Sequence, residues 1–424
     1  MDFFLRMDQS QMKSKPTCIE DLPEELISTV VSNLKVRDVV RASLTCKQWL
    51  HLPALLSEIT LDDSALGDDD DRVPRQPCRE ADQLFVNKVN KFLKLYQKLQ
   101  LATGRRTPLL SFTVRRHLER FYSADIDSWV DFALTNRVKV LDVDVYGYMG
   151  VHMYVFPGDL LDKTASGIVL EKLSLSCDFE RSLRTRLISL KELAFQGANL
   201  KEYDISNILA SCPNLLNFSL TMCWLPETLI VRGKSLAHLR VKWCYCLKQI
   251  QLLDSSALTH FIYIGIHVSL IQFHGALKLT DVTFCIQCED TDEYISQELH
   301  RHFPVMKSLL LFKLTQTHLN AESRIDFLPG TYQRLQTLKL CCHHESTLSL
   351  LSVLKMLRAC PVPPAALEYS AKDDDVELPI QAFHDHLNSV QVSGFNGNEG
   401  HVKLVTLLIQ AAAVLDQIIG EFLV

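Results

Sequence analysis

The apolar residues that follow residue 20 have the spacing of an amphipathic helix. Four of them lie at i, i+3, i+4 and i+7, the spacing of one helical face: Ile27, Val30, Val31 and Leu34. The Asp-Leu-Pro-Glu-Glu run that begins at Asp21 supplies a cap, a first-turn proline and two acidic residues near the positive end of the helix dipole. The sequence therefore predicts a helix that starts in this run.

A second and a third short helix follow at once. Asp38 can cap the second, which carries Val39, Val40 and Leu44, and the third contains Trp49. Three helices of this size have too little interior to bury all these side chains among themselves. We infer that a partner covers the remainder. The alternative is a small helical cap on the next domain, in which the same residues form ordinary core.

Three sequence blocks in this segment resemble an F-box: Leu-Pro-Glu-Glu-x-Ile from Leu22, Val-Arg-Ala-Ser-Leu ending at Leu44, and Cys-Lys-Gln-Trp ending at Trp49. Many F-boxes have Leu-Pro between the first two helices, where this chain has Leu34-Lys35. The resemblance implies a module that docks on the Skp-type adaptor of cullin–RING ubiquitin ligases, and through it on cullin and a RING protein. The adaptor contacts that it implies are Leu22, Pro23, Ile27, Leu34, Val39, Leu44 and Trp49.

The segment between the F-box and the middle of the chain divides into two parts. Residues 58–83 include the acidic run Asp68 to Asp71 with glycine and prolines nearby, which is typical of a hydrated linker. Residues 84–137 carry two apolar helix faces, within 85–99 and 126–134, and are interpreted as a helical lead-in.

An L-x-x-L-x-L pattern, in which any large apolar residue is allowed, recurs through the middle of the chain. Successive starts are 20 to 29 residues apart, the range of leucine-rich repeats. The pattern arises often by chance in a chain that is 47% apolar, so the polar residues that fill its intervening places carry the prediction. The starts are Leu170, Leu190, Leu215, Leu236, Leu258, Leu279, Met306 and Leu335.

Each repeat is expected to place one short strand on a concave parallel sheet and to return by a helix or loop. The outward positions of these strands form an extended surface suited to another macromolecule, although any one of them can equally be a plain solvated residue. The target-binding candidates are Lys172, Glu192, Asn217, His238, Arg240 and Lys242. Ser174, Ser219, His260, Lys339 and His343 share this predicted face.

The carboxy-terminal segment predicts a strand at 387–392, a Gly-Phe-Asn-Gly turn from Gly394, a long helix and a closing strand at 418–423. This order is similar to the FBD domain found at the end of many plant F-box proteins. Together the pieces resemble the plant F-box/FBD/leucine-rich-repeat family. The terminal segment is expected to cap the last strand of the solenoid, which otherwise has an unpaired edge.

The predicted fold class is α/β: a leucine-rich-repeat solenoid with parallel strands on its concave face, an N-terminal three-helix F-box and a C-terminal α+β FBD-like cap. The predicted segments are a flexible N-terminus at 1–16, the F-box at 17–57, the acidic linker at 58–83, the helical lead-in at 84–137, irregular leucine-rich repeats at 138–365 and the FBD-like terminal domain at 366–424.

The amino-acid composition and net charge exclude several classes of protein. The chain has 424 residues, 47% of them apolar and 22% charged, with a net charge of −6. These values exclude wholesale disorder and a strongly basic protein that holds nucleic acid mainly by counterion release. The polar start, Met1 to Lys15, lacks the features of a signal peptide. Histidines interrupt the longest uncharged stretch, Ser255 to Leu277, which predicts buried strands and no membrane span.

Thirteen cysteines in a chain without an export signal are expected to be reduced thiols of the cytosol or nucleus. Two arrangements resemble metal ligands, Cys285-x-x-Cys288 and Cys341-Cys342-His343-His344, but they lie far apart along the chain. We therefore expect structural thiols, no metal and no cofactor. Neither a nucleotide-binding loop nor a recognisable Cys/His triad occurs in the sequence.

These patterns predict a non-catalytic substrate-recognition subunit of a cullin–RING, SCF-type ubiquitin ligase, resident in the nucleus or cytoplasm. Its partners would be the adaptor and an unknown protein target, with no nucleic acid and no membrane. The alternative is a leucine-rich-repeat scaffold or binding protein with no role in ubiquitin transfer.

Overall fold

The computed structural model of the chain describes residues 24–66, 79–104, 108–145, 154–163, 169–180, 186–265, 270–274, 278–286, 307–313, 336–342, 389–395, 402 and 417–422. The chain divides into two compact units, Met1–Tyr154 and Val155–Val424. The predicted N-terminus at 1–16 and the acidic run Asp68 to Asp71 lie outside the described residues.

The first unit begins with short helices and continues with alternating strands and helices. In chain order its elements are α1 (Glu24–Ser32), α2 (Val36–Ser43), the 3-10 turns Lys47–Trp49 and Leu52–Leu55, β1 (Glu58–Asp62), α3 (Asp63–Leu66), α4 (Arg79–Thr103), β2 (Ser111–Arg115), the 3-10 turn Arg120–Tyr122, α5 (Ser123–Thr135) and β3 (Val140–Asp144). The predicted helices at 85–99 and 126–134 lie within α4 and α5.

Two assignments in this unit were wrong. The predicted linker contains β1 and α3, and the predicted helical lead-in contains β2. β1, β2 and β3 pair in parallel, with Ile59 opposite Phe112 and Phe112 opposite Leu141. The repeat pattern is present before each strand, starting at Leu56, Leu109 and Val138. The parallel strands of the repeats therefore begin directly after the helical head.

The helical head, residues 24–56, is joined to the rest of the first unit by a buried apolar face. Val31, Val36 and Val39 are at most 4% exposed, and the turn Leu52–Leu55 is buried. The Tyr96 hydroxyl of α4 donates a hydrogen bond to the Leu56 carbonyl oxygen at 3.1 Å. Part of the apolar surface of the head is thus covered by its own unit.

Aromatic side chains fill the centre of the first unit. Trp129 is 1% exposed, and its indole nitrogen donates to the Asn90 side-chain oxygen at 2.7 Å. The Asn90 amide in turn donates to Asp125 at 2.8 Å. The ring of Phe132 lies against the rings of Tyr96 and Phe112, with centroids 5.9 and 5.7 Å apart. These contacts fix α4 and α5 against each other and against β2.

The second unit contains fifteen strands and two helices among its described residues. In chain order they are β4 (Val155–Pro157), α6 (Asp159–Lys163), β5 (Lys172–Ser176), β6 (Asp178–Glu180), β7 (Glu192–Gln196), α7 (Glu202–Ser211), β8 (Asn217–Thr221), β9 (Thr228–Arg232), β10 (His238–Lys242), β11 (Gln249–Leu253), β12 (His260–Gly265), β13 (Leu270–His274), β14 (Asp281–Ile286), β15 (Ser308–Lys313), β16 (Thr337–Cys342), β17 (Ser389–Phe395) and β18 (Gln417–Phe422).

Ten of these strands form one parallel sheet, the main sheet, in the order β5-β7-β8-β10-β12-β14-β15-β16-β17-β18. The eight predicted repeat starts are confirmed, because a strand of the main sheet begins two residues after each of them. Side chains alternate along each strand: Phe218 and Leu220 of β8 are buried, for example, while Asn217 and Ser219 are half-buried. Stacked repeats therefore share a continuous apolar layer on one side of the sheet.

The return segments form a second parallel sheet that the prediction missed. Its order is β13-β11-β9, and its inward residues include Leu229, Ile250 and Ile271, all 0% exposed. The signal was present, since β9 and β11 have the period-2 alternation of half-buried strands. The uncharged stretch Ser255 to Leu277 forms β12 and β13, as predicted. In the described part of the chain, no helix combines the length and apolarity that a bilayer crossing requires.

The carboxy-terminal strands continue the main sheet. The two predicted strands correspond to β17 and β18, which pair in parallel with each other, and β17 pairs in parallel with β16. The predicted turn at Gly394 overlaps β17, which runs to Phe395, and most of the predicted long helix lies outside the described residues. A separate α+β FBD-like cap is not confirmed, because the described strands behave as further members of the same sheet.

Candidate protein-binding surfaces

The helical head exposes large apolar side chains on its surface. Leu44 is 75% exposed, and Leu26, Val30, Leu34 and Leu50 are between 39% and 51% exposed. Leu26 and Val30 are four residues apart and so share one face of α1, while Val31 points into the unit. Apolar groups grouped on so short a segment are typical of a protein-binding surface.

The predicted adaptor contacts divide by burial. Leu34 and Leu44 are exposed, and Ile27 and Trp49 are half-buried. Val39 is 0% exposed, so we reassign it to the core of the first unit, because a fully covered side chain offers no surface to a partner. Leu22 and Pro23 lie outside the described residues.

Sequence reasoning did not include Leu26, Val30 and Leu50 among the contacts, although the structure exposes them. Their apolar character was visible in the sequence. The side of each helix that faces inward was not visible, because it depends on how α1 and α2 pack against the turn Leu52–Leu55.

The six target-binding candidates lie on the side of the main sheet opposite the apolar layer. We call this side the polar face. It consists of the first, third and fifth residues of β5, β7, β8, β10 and β12, together with Asp281 at the start of β14. The strand register aligns Lys172, Glu192, Asn217 and His238, and then His260 and Asp281, in one row across the strands. Arg240 and Lys242 follow His238 along β10. Of the other predicted residues, Lys339 is in β16 and His343 lies outside the described part.

Polar contacts connect both ends of this row. The Lys172 ammonium lies 3.0 Å from the Glu192 carboxylate, which also accepts a 3.3 Å hydrogen bond from the Asn217 amide. The His238 and His260 rings stack with centroids 4.3 Å apart, and His260 Nε2 lies 3.6 Å from the Asp281 carboxylate. The carboxylates of the row are therefore already paired within the chain.

The stacked histidines affect each other's titration. Burial lowers the pKa of His238 below its ordinary value of 6.5, and the positive charges of protonated His260 and of Arg240 lower it further. The Asp281 carboxylate opposes this effect. At neutral pH His238 is accordingly an uncharged group that can both donate and accept a hydrogen bond.

This arrangement makes the stability of the second unit pH-dependent. Between the lowered pKa of folded His238 and the ordinary 6.5, the unfolded chain binds more protons, so the free energy of unfolding falls as pH drops through that window. We expect His238→Gln to reduce this fall, as measured by thermal unfolding at a series of pH values. In an NMR titration, His260→Gln should move the pKa of His238 upward. An unchanged pKa would contradict the proposed coupling.

Three cysteines of the second unit, Cys212, Cys223 and Cys244, are buried in its interior. Cys223 and Cys244 occupy equivalent small positions after β8 and β10, and their sulfur atoms lie 3.5 and 3.6 Å from carbonyl oxygens of the preceding strands. The hydrogen bond with Cys244, together with burial, raises the pKa of the Cys223 thiol, and burial raises the pKa of Cys212 to about 12. These thiols stay protonated at neutral pH. Within the described ranges, no three His, Cys, Asp or Glu side chains cluster as metal ligands.

Two family models match the chain. The model described as "At1g61320/AtMIF1, LRR domain" matches residues 101–422, and the model described as "F-box-like" matches residues 19–53. The first match covers most of the chain, including both terminal strands. The protein is thus a leucine-rich-repeat protein with an amino-terminal F-box-like segment. Neither model describes a catalytic domain.

Similar proteins from Arabidopsis thaliana have the same combination of parts. The chain is 24% identical to F-box/FBD/LRR-repeat protein At1g13570 over 96% of the chain and 91% of that protein. It is 24% identical to F-box/LRR-repeat protein At3g03360 and 26% identical to F-box/LRR-repeat protein At3g26922, over 50% and 47% of the chain and 40% and 58% of those proteins. The chain belongs to the plant F-box/FBD/leucine-rich-repeat family.

Proposed function

We propose that this chain is the substrate-recognition subunit of a cullin–RING, SCF-type ubiquitin ligase. In this proposal the helical head binds a Skp-type adaptor and the polar face of the main sheet binds a target protein. Holding the target beside the ubiquitin-charged enzyme accelerates transfer by raising its effective concentration. The chain itself contributes no catalytic residue.

The exposed apolar side chains of the head are the observation that carries the proposal. F-box domains generally bind Skp-type adaptors, and residues 19–53 match the F-box-like model. Leu34 and Leu44 are large apolar residues at predicted contact positions, and they remain 39% and 75% exposed within the first unit. Covering them with an apolar partner removes this surface from water, which favours association.

The alternative function is a leucine-rich-repeat scaffold that takes no part in ubiquitin transfer. In that case the head would be only an amino-terminal cap of the repeats, as its buried face against α4 would allow. Both functions predict the same polar face on the second unit, so adaptor binding discriminates between them.

Co-purification of the full chain with a Skp-type adaptor tests the proposal. We expect a stable complex for the unaltered chain and its loss in the double variant Leu22→Asp with Pro23→Ala, both within the matched F-box-like segment. Circular dichroism should show that the variant keeps its helices and strands. A folded variant with undiminished adaptor binding would leave the scaffold function as the better explanation.

We also propose that the protein resides in the nucleus or the cytoplasm. The free thiols of Cys212, Cys223 and Cys244 support this, because all three are buried and unbridged in the described structure. Imaging of the full chain with a fluorescent tag at its carboxyl terminus tests the proposal. Accumulation in the secretory pathway would contradict it.

A further inference from the structure

The middle of the polar face carries two cations that have no ion-pair partner among the described residues. Arg240 and Lys242 are the third and fifth residues of β10, Arg240 exposed and Lys242 half-buried. Their register neighbours on β8 and β12 are uncharged: Ser219 and Ile262 beside Arg240, and Thr221 and Ile264 beside Lys242.

The carboxylates of the polar face, those of Glu192 and Asp281, contact residues other than Arg240 and Lys242. Glu192 pairs with Lys172, and Asp281 faces His260 and accepts a 2.6 Å hydrogen bond from Thr280. Each lies two strands away from β10, about 10 Å at ordinary strand spacing. Arg240 and Lys242 thus remain available to an anionic group from outside the chain.

An exposed aromatic pair follows the carboxyl ends of β8 and of β10, the strand that carries these cations. The rings of Trp224 and Tyr245 stack with centroids 4.8 Å apart, and the two side chains are 52% and 42% exposed. Their backbones are fixed, since the Trp224 amide donates to the Ala198 carbonyl and the Tyr245 amide to the Cys223 carbonyl. A rigid aromatic surface loses little conformational entropy when it is covered.

A residue in an unfavourable backbone conformation stands shortly before each of the two aromatic residues. Directly after β7, Gly197 takes the left-handed conformation with φ 72°, which glycine adopts without steric cost. At the equivalent places after β8 and β10 stand Met222 and Trp243, with φ 51° and 53°. Bulky residues held in this conformation are strained, and such strained residues concentrate at functional sites. Met222 is itself 41% exposed beside Trp224.

Lys242 and Tyr245 lie close enough along the chain for one ligand to contact both of them. Tyr245 is the third residue after Lys242, which limits the distance between their α-carbons to about 11 Å. An extended peptide spans that distance with three or four residues, at about 3.3 Å per residue.

We propose that the middle of the polar face binds an extended segment of the target protein in which acidic side chains lie next to an aromatic or large aliphatic residue. The carboxylates bind Arg240 and Lys242, and the apolar side chain packs on Trp224 and Tyr245. This inference rests on the proposed function, in which the polar face holds a target. A nucleic acid also combines negative charge with stacking groups, but two free cations and a net charge of −6 favour a peptide.

The test uses the full chain in complex with a Skp-type adaptor and an array of synthetic peptides in four classes. The classes are acidic with an aromatic residue, acidic without one, neutral with an aromatic residue, and basic with an aromatic residue. We expect the acidic aromatic class to be retained at least about tenfold better than the basic one, and salt to weaken that retention.

Two double variants separate the two halves of the surface. Arg240→Glu with Lys242→Glu should remove the acidic preference and shift retention toward the basic class. Trp224→Ala with Tyr245→Ala should abolish the advantage of an aromatic residue while keeping the acidic preference. Matched controls are Lys248→Glu, a 63%-exposed lysine that pairs with Glu227, and Tyr203→Ala, a 57%-exposed tyrosine on α7. Both controls should leave the class preferences unchanged.

Several results would overturn the inference. The complex with the adaptor could retain all four peptide classes equally, or it could retain none of them. Either result would contradict the peptide preference and leave the proposed function intact. Tighter binding of an oligothymidine probe than of any peptide class, lost in the charge-reversed variant, would assign the surface to nucleic acid. If the chain fails to bind the adaptor, the proposed function fails, and the same array applied to the chain alone still tests the peptide preference.

Discussion

Replacing Leu34 and Leu44 together by glutamate should abolish capture of a Skp-type adaptor without unfolding the first unit. Both side chains are exposed, so the charges remain hydrated in the free chain. In the complex they would be forced into an apolar contact without partners. We expect a loss of more than about 3 kcal/mol, roughly 150-fold in Kd, as for the central residues of protein interfaces. Surface plasmon resonance with the purified adaptor measures it.

The first unit offers a matched control for this variant. Leu84 and Leu101 on α4 are 56% and 82% exposed and lie outside the F-box-like segment. The double variant Leu84→Glu with Leu101→Glu adds the same charge and should bind the adaptor as tightly as the unaltered chain. Equal weakening in both double variants would show a general effect of charge. Unweakened binding of the Leu34/Leu44 variant would exclude these residues from the interface.

The largest stability effect is expected from Trp129→Ala in the first unit. The substitution leaves a cavity between α4 and α5, and it removes the hydrogen bond from the indole to Asn90. Loss of a buried tryptophan typically costs about 3–5 kcal/mol. Asn90 would also keep a half-buried oxygen without its donor. Amide hydrogen exchange should therefore accelerate along α4 and α5.

An exposed tryptophan provides the comparison. Trp224→Ala removes the same group from a 52%-exposed position and should change amide exchange of α4 and α5 hardly at all. Trp129→Phe keeps most of the volume and loses the hydrogen bond, so its effect should lie between the two. If Trp129→Ala accelerates exchange no more than Trp224→Ala, the packing of this core is not as described.

The repeat architecture could be predicted from the sequence alone. In the strands of the main sheet whose side chains the structure describes, alternate residues are buried. The L-x-x-L-x-L pattern that produces this burial is local in the sequence, and the eight predicted starts were confirmed. The same local pattern at Leu56, Leu109 and Val138 would also have revealed β1, β2 and β3. They were missed because the acidic residues and the strong helix patterns around them favoured a linker and a helical lead-in.

The sequence by itself thus determined the repeat strands, the helical head and the chemistry of the polar face, since each depends on residue type and short-range spacing. Tertiary structure decided the rest. It buried Val39 and exposed Leu44, because the turn Leu52–Leu55 packs against only one side of α1 and α2. It also decided which charges are free: strand register places Lys172 beside Glu192 and puts uncharged neighbours beside Arg240. Burial and ion pairing depend on contacts between residues that are distant in the chain, so a local sequence pattern cannot predict them.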